Sequence, residues 1–454
     1  MKRTVVINVV GLTRKLISER TPNIQKLLSQ SVNIKPITPA VTCSVQATYL
    51  TGKLPTEHGI VANGWYFRDL NEVWLWRQSN RLVQGPKIWD MAREKNANFT
   101  CSNTFWWYAM ATGADYTLTP RPLYCADGSK LPDFYTVPLA LREELTREIG
   151  NFPLFQFWGP ATSIKSSQWI SDAAMKVEEK YSPTLQLVYL PHLDYCLQKV
   201  GPEGDIAKDL NEIDSVVGGL LNYFEARDCR VIVLSEYGIL AVDTPIHPNR
   251  ILRNANLLNV KVDLGKEYLD TATSKAFSVS DHQIAHIYIQ NKDLIPTVKS
   301  LFEKQKGIAR VLDEEGKREF GLNHERSGEL ILLAEPNAWF TYYYWQDEKR
   351  APDFAGSVEI HKKPGYDPCE LFFNPKLPMP MLSMVGKLIR KKLGFRYVMD
   401  VISMEPKQVK GSHGLAIDHP DATPIFMSTH APLVPSNSIA ATDVCNLILQ
   451  HVFE

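Results

Sequence analysis

No stretch of the 454-residue sequence is apolar over the roughly 20 positions that a membrane-crossing helix needs. That argues against a spanning protein, and no membrane partner is expected. Charge has no excess of either sign, since 50 Lys and Arg balance 50 Asp and Glu. Nothing therefore points to a nucleic-acid polymer as a partner. Cysteine is sparse, with seven residues scattered without a Cys-x-x-Cys pair, which fits reduced thiols rather than a disulfide framework. The apolar run Val5–Val10 is short and is followed by no small-residue cleavage site, so it reads as a buried strand and not as a signal peptide. A cytoplasmic protein is the expectation. Repeats, low-complexity segments and heptads are missing, and the oligomeric state leaves no mark.

Short β-branched runs are separated by helix-length segments: Val5–Val10, Leu185–Leu190, Val231–Leu234 and Ile284–Ile289. Between the second and third, Leu210, Ile213, Val217, Leu220, Leu221 and Phe224 recur at helical spacing. Continuous apolar strands alternating with helices predict a mainly parallel sheet covered on both faces. Chemistry in such sheets collects at the carboxyl ends of the strands. Asp194 follows one strand closely, and Ser235-Glu236-Tyr237-Gly238 follows another. Residues from about 64 to 159 are rich in Trp, Tyr and Phe and read as an inserted cap beside a substrate pocket. Residues from about 292 to 376 read as a second insertion.

From Pro39 to Gly52 the sequence reads as a hydroxyl, Thr42, held at the start of a helix, then a glycine stop, then the tight turn of Glu57-His58-Gly59. A helix N-terminus offers N–H groups and the positive end of a dipole to an anion. It suits a nucleophile that attacks phosphorus. This segment resembles the nucleophile segment of the alkaline phosphatase superfamily, in its nucleotide pyrophosphatase/phosphodiesterase and phosphonoacetate hydrolase branch. The resemblance implies an α/β/α sandwich with a mainly parallel central sheet and inserted caps, one such domain spanning 1–454, and zinc ions held by Asp and His around the nucleophile.

The resemblance carries over residue by residue. Thr42 takes the nucleophile's place. Asp194 in Leu190-Pro191-His192-Leu193-Asp194 matches the Asp of an Asp-xxx-His pair, with Gly201-Pro202 at the family's spacing. Gln198 stands where the His of that pair is expected, and His413 in Gly411-Ser412-His413-Gly414 matches the late His. At the second metal site the first-strand Asp falls on Val10, the Asp-His pair on Glu236 and Tyr237, and a phosphate-contacting Asn on Val45. Asp194, His413, Gln198 and Glu236 are thus the candidate ligands of a divalent metal, zinc by resemblance, with one site or fewer complete. Tyr237 is a candidate hydrogen-bond donor to the charged oxygens in place of a lost metal.

Weaker candidates for contacting substrate are Asp281 and His282 at a strand entrance, His247 and Arg250 ahead of a predicted helix, and His361 and Lys363 beside a Pro-Gly turn. Asp367 is a supporting partner there. Cys43 reads as a small buried residue, and the basic run Lys387–Lys392 as a solvated helix face. The implied activity is hydrolysis of a small phosphorylated substrate, a phosphate or phosphonate ester, in the manner of the phosphodiesterases. A phosphotransferase or mutase of the same fold, and a non-catalytic binder of a phosphorylated metabolite, are the alternatives.

Overall fold

A computed structural model describes residues 1–126, 129–377, 380–395 and 398–454, with the backbone alone at 380–384 and 391. The predicted first strand forms β1 (Thr4–Val9), buried at every position. Further strands follow in chain order. They are β2 (Ser31–Lys35), β3 (Cys101–Thr104), β4 (Tyr116–Pro120), β5 (Phe134–Val137), β6 (Leu185–Leu190) and β7 (Arg230–Leu234). After them come β8 (Ala276–Asp281), β9 (Ile284–Ile289), β10 (Ile308–Leu312), β11 (Leu330–Ala334), β12 (Ile425–Ser428) and β13 (Ile439–Ala440). Nine of them make the central sheet in the order β13-β2-β12-β7-β1-β6-β3-β4-β5. Its middle is parallel, from β7 through β1, β6 and β3 to β4. The strands β12 and β5 run antiparallel to their neighbours.

The helices that position the site are α1 (Thr42–Thr51), α2 (Ile164–Tyr181), α3 (His192–Val200), α4 (Ala207–Glu225), α5 (Pro248–Asn254), α6 (Pro380–Lys392) and α7 (Val444–Phe453). Of these, α2 and α7 lie on opposite faces of the central sheet. Gln186 stands in register with Val5, and its amide reaches the Ala174 carbonyl of α2 at 2.8 Å. Thr4, one residue along and so on the opposite face, reaches the His451 carbonyl of α7 at 3.1 Å. The helical spacing seen between residues 210 and 224 is borne out in α4, where all six of those apolar residues are buried.

Two expectations need correction. The Ile284–Ile289 run belongs to a separate antiparallel sheet, ordered β8-β9-β11-β10. The cause is a two-residue turn: β8 ends at Asp281, His282 takes a left-handed φ of 60°, and the chain returns as β9, which forces antiparallel pairing. The 64–159 segment is also more than a cap, because it supplies β3, β4 and β5 to the edge of the central sheet. Residues 292–376 likewise supply β10 and β11.

The basic run lies in α6, with Lys387 paired to Asp400; the side chain of Lys391 lies outside the described residues. Val385 and Ile389 on this helix are about half exposed, so its exposed surface is not purely polar. Among the described residues no helix is long and apolar enough to cross a membrane.

Candidate active site

Val41 is extended and Thr42 opens α1, whose ten residues are all buried; Gly52, with φ 68°, ends it. Thr42 faces the carboxyl ends of the parallel strands, where α3 follows β6 and the Glu236-Tyr237 pair follows β7. The Thr42 hydroxyl lies 2.9 Å from the Tyr237 hydroxyl, which donates to Asp194 Oδ1 at 3.3 Å. Because the Tyr237 proton points to Asp194, the Thr42 hydroxyl is left to donate to Tyr237. The result is a hydrogen-bonded chain from hydroxyl to phenol to carboxylate. This differs from the role expected of Tyr237 as a direct donor to an oxyanion.

Gln198, one turn along α3, donates to Asp194 Oδ2 at 2.8 Å, and its carbonyl accepts from Tyr366 at 3.0 Å. A stack of rings closes the site. Tyr237 lies on His413, His413 on His282, and His282 on Tyr366, each pair with centroids 3.7 Å apart. The His413 Nδ1 proton is held by the Ala40 carbonyl at 2.7 Å, which leaves the Nε2 lone pair 3.7 Å from Asp194 Oδ1. His282 Nδ1 lies 2.7 Å from Asp281 Oδ1. Asp281 is held in turn by the backbone N–H of Asn63 at 2.7 Å and its side-chain amide at 3.1 Å, and Asn63 accepts from the Cys43 N–H at 2.9 Å. That link ties the His282 turn to the first turn of α1. His282 Nε2 is buried and has no hydrogen-bond partner.

Glu236 is buried, with Asn8 and Gln46 both donating to Oε1 at 2.5 Å. Burial pushes its carboxyl up to about 8 in spite of those donors. Burial likewise raises Asp194 to about 6, with His282, Gln198 and Tyr237 pulling the other way. Burial, helped by His282, pushes His413 well below the usual imidazole range, so its ring is neutral. Tyr237 is pushed well above 10 by burial and the nearby carboxylates, and keeps its proton.

Thr42, Asp194, Tyr237, His282, Tyr366 and His413 line one cavity of about 1750 Å³. The same cavity is walled by Trp76, Trp107, Trp158, Phe155 and Leu388, so both the aromatic segment and α6 shape it. His361 also lines it, with Nδ1 3.3 Å from the Leu75 carbonyl and its pKa lowered by burial to about 4. The remaining candidates are not brought to Thr42. Lys363 is buried between Asp367 and Glu370, 2.7 Å from each, and its charge is spent there. Arg250 donates to the Trp345 carbonyl at 2.6 Å, and His247 meets the Thr341 hydroxyl at 2.7 Å. The Cys43 thiol is pushed well up by burial, which leaves it inert as a nucleophile. Asn63, Gln46, Asn8 and Tyr366 were not singled out from sequence. Only Gln46 carried a signal, standing four residues after Thr42 on the same helix face.

The side chains present do not fit a two-zinc centre. Val10 has no donor atom, Tyr237 is protonated, and Glu236 spends one oxygen on two amides. Both ends of the Gln198 amide are occupied. Asp194 and His413 alone fall short of the three protein ligands a catalytic zinc takes.

A hydroxyl at a helix start, at the carboxyl edge of a mainly parallel sheet covered on both faces, places the chain in the class of α/β proteins whose chemistry sits at the carboxyl ends of their strands. Within it, the family described as type I phosphodiesterase / nucleotide pyrophosphatase matches residues 4–367, and the chain belongs to that family. An uncharacterized pyrophosphatase/phosphodiesterase of Schizosaccharomyces pombe is 24% identical over 249 residues, 53% of this chain. The chain spans only 44% of that curated relative's length. Murine ectonucleotide pyrophosphatase/phosphodiesterase 5 in complex with AMP superposes with a TM-score of 0.60 at 13% identity, covering 100% of this chain and 95% of that one. Phosphonoacetate hydrolase from Sinorhizobium meliloti 1021, solved with phosphonoformate, gives 0.61 at 11% identity, covering 99% and 96%. At these identities the two structures speak to the fold.

Proposed function

We propose that the chain hydrolyses phosphoesters at Thr42, with a diester carrying an aromatic or apolar group as the preferred substrate. The observation that carries this reading is the Thr42–Tyr237–Asp194 chain opening onto the aromatic-walled cavity. In the attack, the Thr42 oxygen bonds to phosphorus and the ester oxygen departs. The Thr42 proton moves to Tyr237 as the Tyr237 proton moves to Asp194 Oδ1. The start of α1 offers the positive end of its dipole to the charge that develops. Water then cleaves the phosphorylated Thr42. His282 Nε2 takes the water's proton, while Asp281 holds its Nδ1–H and stabilises the imidazolium that forms. Thr42 regains its proton from Asp194 through Tyr237, and the proton on His282 leaves with the products.

Neutral His413 adds no cation here, so the single charge of a diester is better accommodated than the double charge of a monoester. No step in this scheme is routed through a metal. A non-catalytic binder of a phosphorylated metabolite is the second reading, favoured by the incomplete ligand set.

Turnover of bis(4-nitrophenyl) phosphate separates the two. Thr42→Ala should abolish it, and Tyr237→Phe should lower kcat by a factor on the order of 10²–10⁴ with KM little changed. Equal turnover in the wild type and Thr42→Ala would defeat the reading. Tight binding of the diester without any turnover would favour the binder.

A further inference from the structure

Away from Thr42, on the other side of α3, a second group of side chains converges. His192 opens α3 two residues before Asp194, and positions two apart on a helix point about 200° apart. It faces α4, where Asp209 and Glu212 share one side three residues apart. His192 Nε2 lies 3.2 Å from Asp209 Oδ1 and 3.4 Å from Glu212 Oε2, and the imidazole is only 4% exposed.

An ordinary buried ion pair would aim the N–H along one bond of 2.7–2.9 Å or so. Here neither ring nitrogen of His192 makes a hydrogen bond of acceptable geometry, although Nε2 lies within ion-pair reach of both carboxylates. The three donor atoms lie within 4.8 Å of one another. Atoms that ligate one zinc at roughly 2.0–2.1 Å from tetrahedral corners stand roughly 3.3 Å apart and point at a shared centre, not at each other. Both carboxylates are 29% exposed, which leaves the fourth corner open to water. Lys208 is 3.7 Å from Glu212 Oε1, the oxygen turned away from His192.

We propose that His192, Asp209 and Glu212 hold a divalent cation of the zinc class, bound by one imidazole and two carboxylates with water completing the shell. The ion clamps the first turn of α3, the helix that carries Asp194 and Gln198, to α4. It is structural and makes no contact with substrate. The site stands on its own geometry and does not depend on the proposed hydrolysis.

The test is zinc chloride titrated calorimetrically into chelator-stripped full-length protein, with bound metal counted by elemental analysis. Wild type should take up about one zinc per chain and melt at a higher temperature when loaded. His192→Ala should bind at least tenfold more weakly and lose the zinc-dependent rise in melting temperature. Should His192→Ala fail to fold, Asp209→Asn, on a partly exposed position, should show the same loss. Asp194→Asn should still bind zinc. No zinc bound by the wild type, or undiminished binding in Asp209→Asn, would overturn the proposal. So would loss of the zinc in Asp194→Asn with retention in His192→Ala.

Discussion

Glu236 holds a proton that an exposed carboxyl would lose, because Asn8 and Gln46 satisfy only one of its oxygens and the other is buried without a partner. The folded chain keeps that proton up to about pH 8, whereas the unfolded chain releases it near 4.5. The folded state therefore binds more protons in between, and stability falls as pH rises from 4.5 to about 8, then levels off. Asp194, raised to about 6, adds a slope of the same sign at the acid end. Glu236→Gln keeps an acceptor for both amides and cannot ionise. Denaturant midpoints measured from about pH 5 to about pH 9 should fall less steeply for this variant than for wild type. The resemblance to the family's motifs made Thr42, Asp194, Gln198 and His413 legible, and the structure brings all four together. Asn63 and Tyr366 were not legible, because each reaches the site from a loop whose partners lie far away in sequence: Asp281 for Asn63, Gln198 for Tyr366.

Strands and turns fix how closely the site's segments approach one another. Gly238 follows Tyr237 directly, and a Cβ there would sit 1.7 Å from the Asp421 carbonyl oxygen. Gly238→Ala must push the two backbones apart, with a cost of about 3 kcal/mol, the upper end of ordinary overpacking. The displacement would carry Tyr237 away from Thr42. A lowered melting temperature together with lowered turnover is the expected result, whereas lowered stability with full turnover would separate the turn from the site. At this scale the strands of the parallel centre and α4 were readable, since an unbroken apolar run and a helical period each have one good solution. The placement of β9 was not, because an apolar run looks the same in either sheet; the left-handed residue His282, which decides the matter, is not a Gly or Asn that would announce a turn.

Across the molecule, two regions that read as insertions wall the cavity whose floor the central sheet provides. Trp76 is one such wall residue, with its ring 4.8 Å from that of Trp107. Trp76→Ala should raise KM for an aromatic diester about tenfold, the loss of an aromatic contact of about 1.4 kcal/mol. kcat should change less, since the contact is made equally in ground and transition states. A KM unchanged for aromatic and aliphatic diesters alike would show that this wall takes no part in binding.

The position of β1 has a consequence in time. It lies at the centre of the sheet, yet Thr4 pairs with Leu185 on one side and Arg230 on the other. At synthesis rates of roughly 5–20 residues per second, β1 waits on the order of ten seconds or more for either neighbour. Until then its six residues have no native strand partner, and a strand buried at every position of the fold stays open on the ribosome.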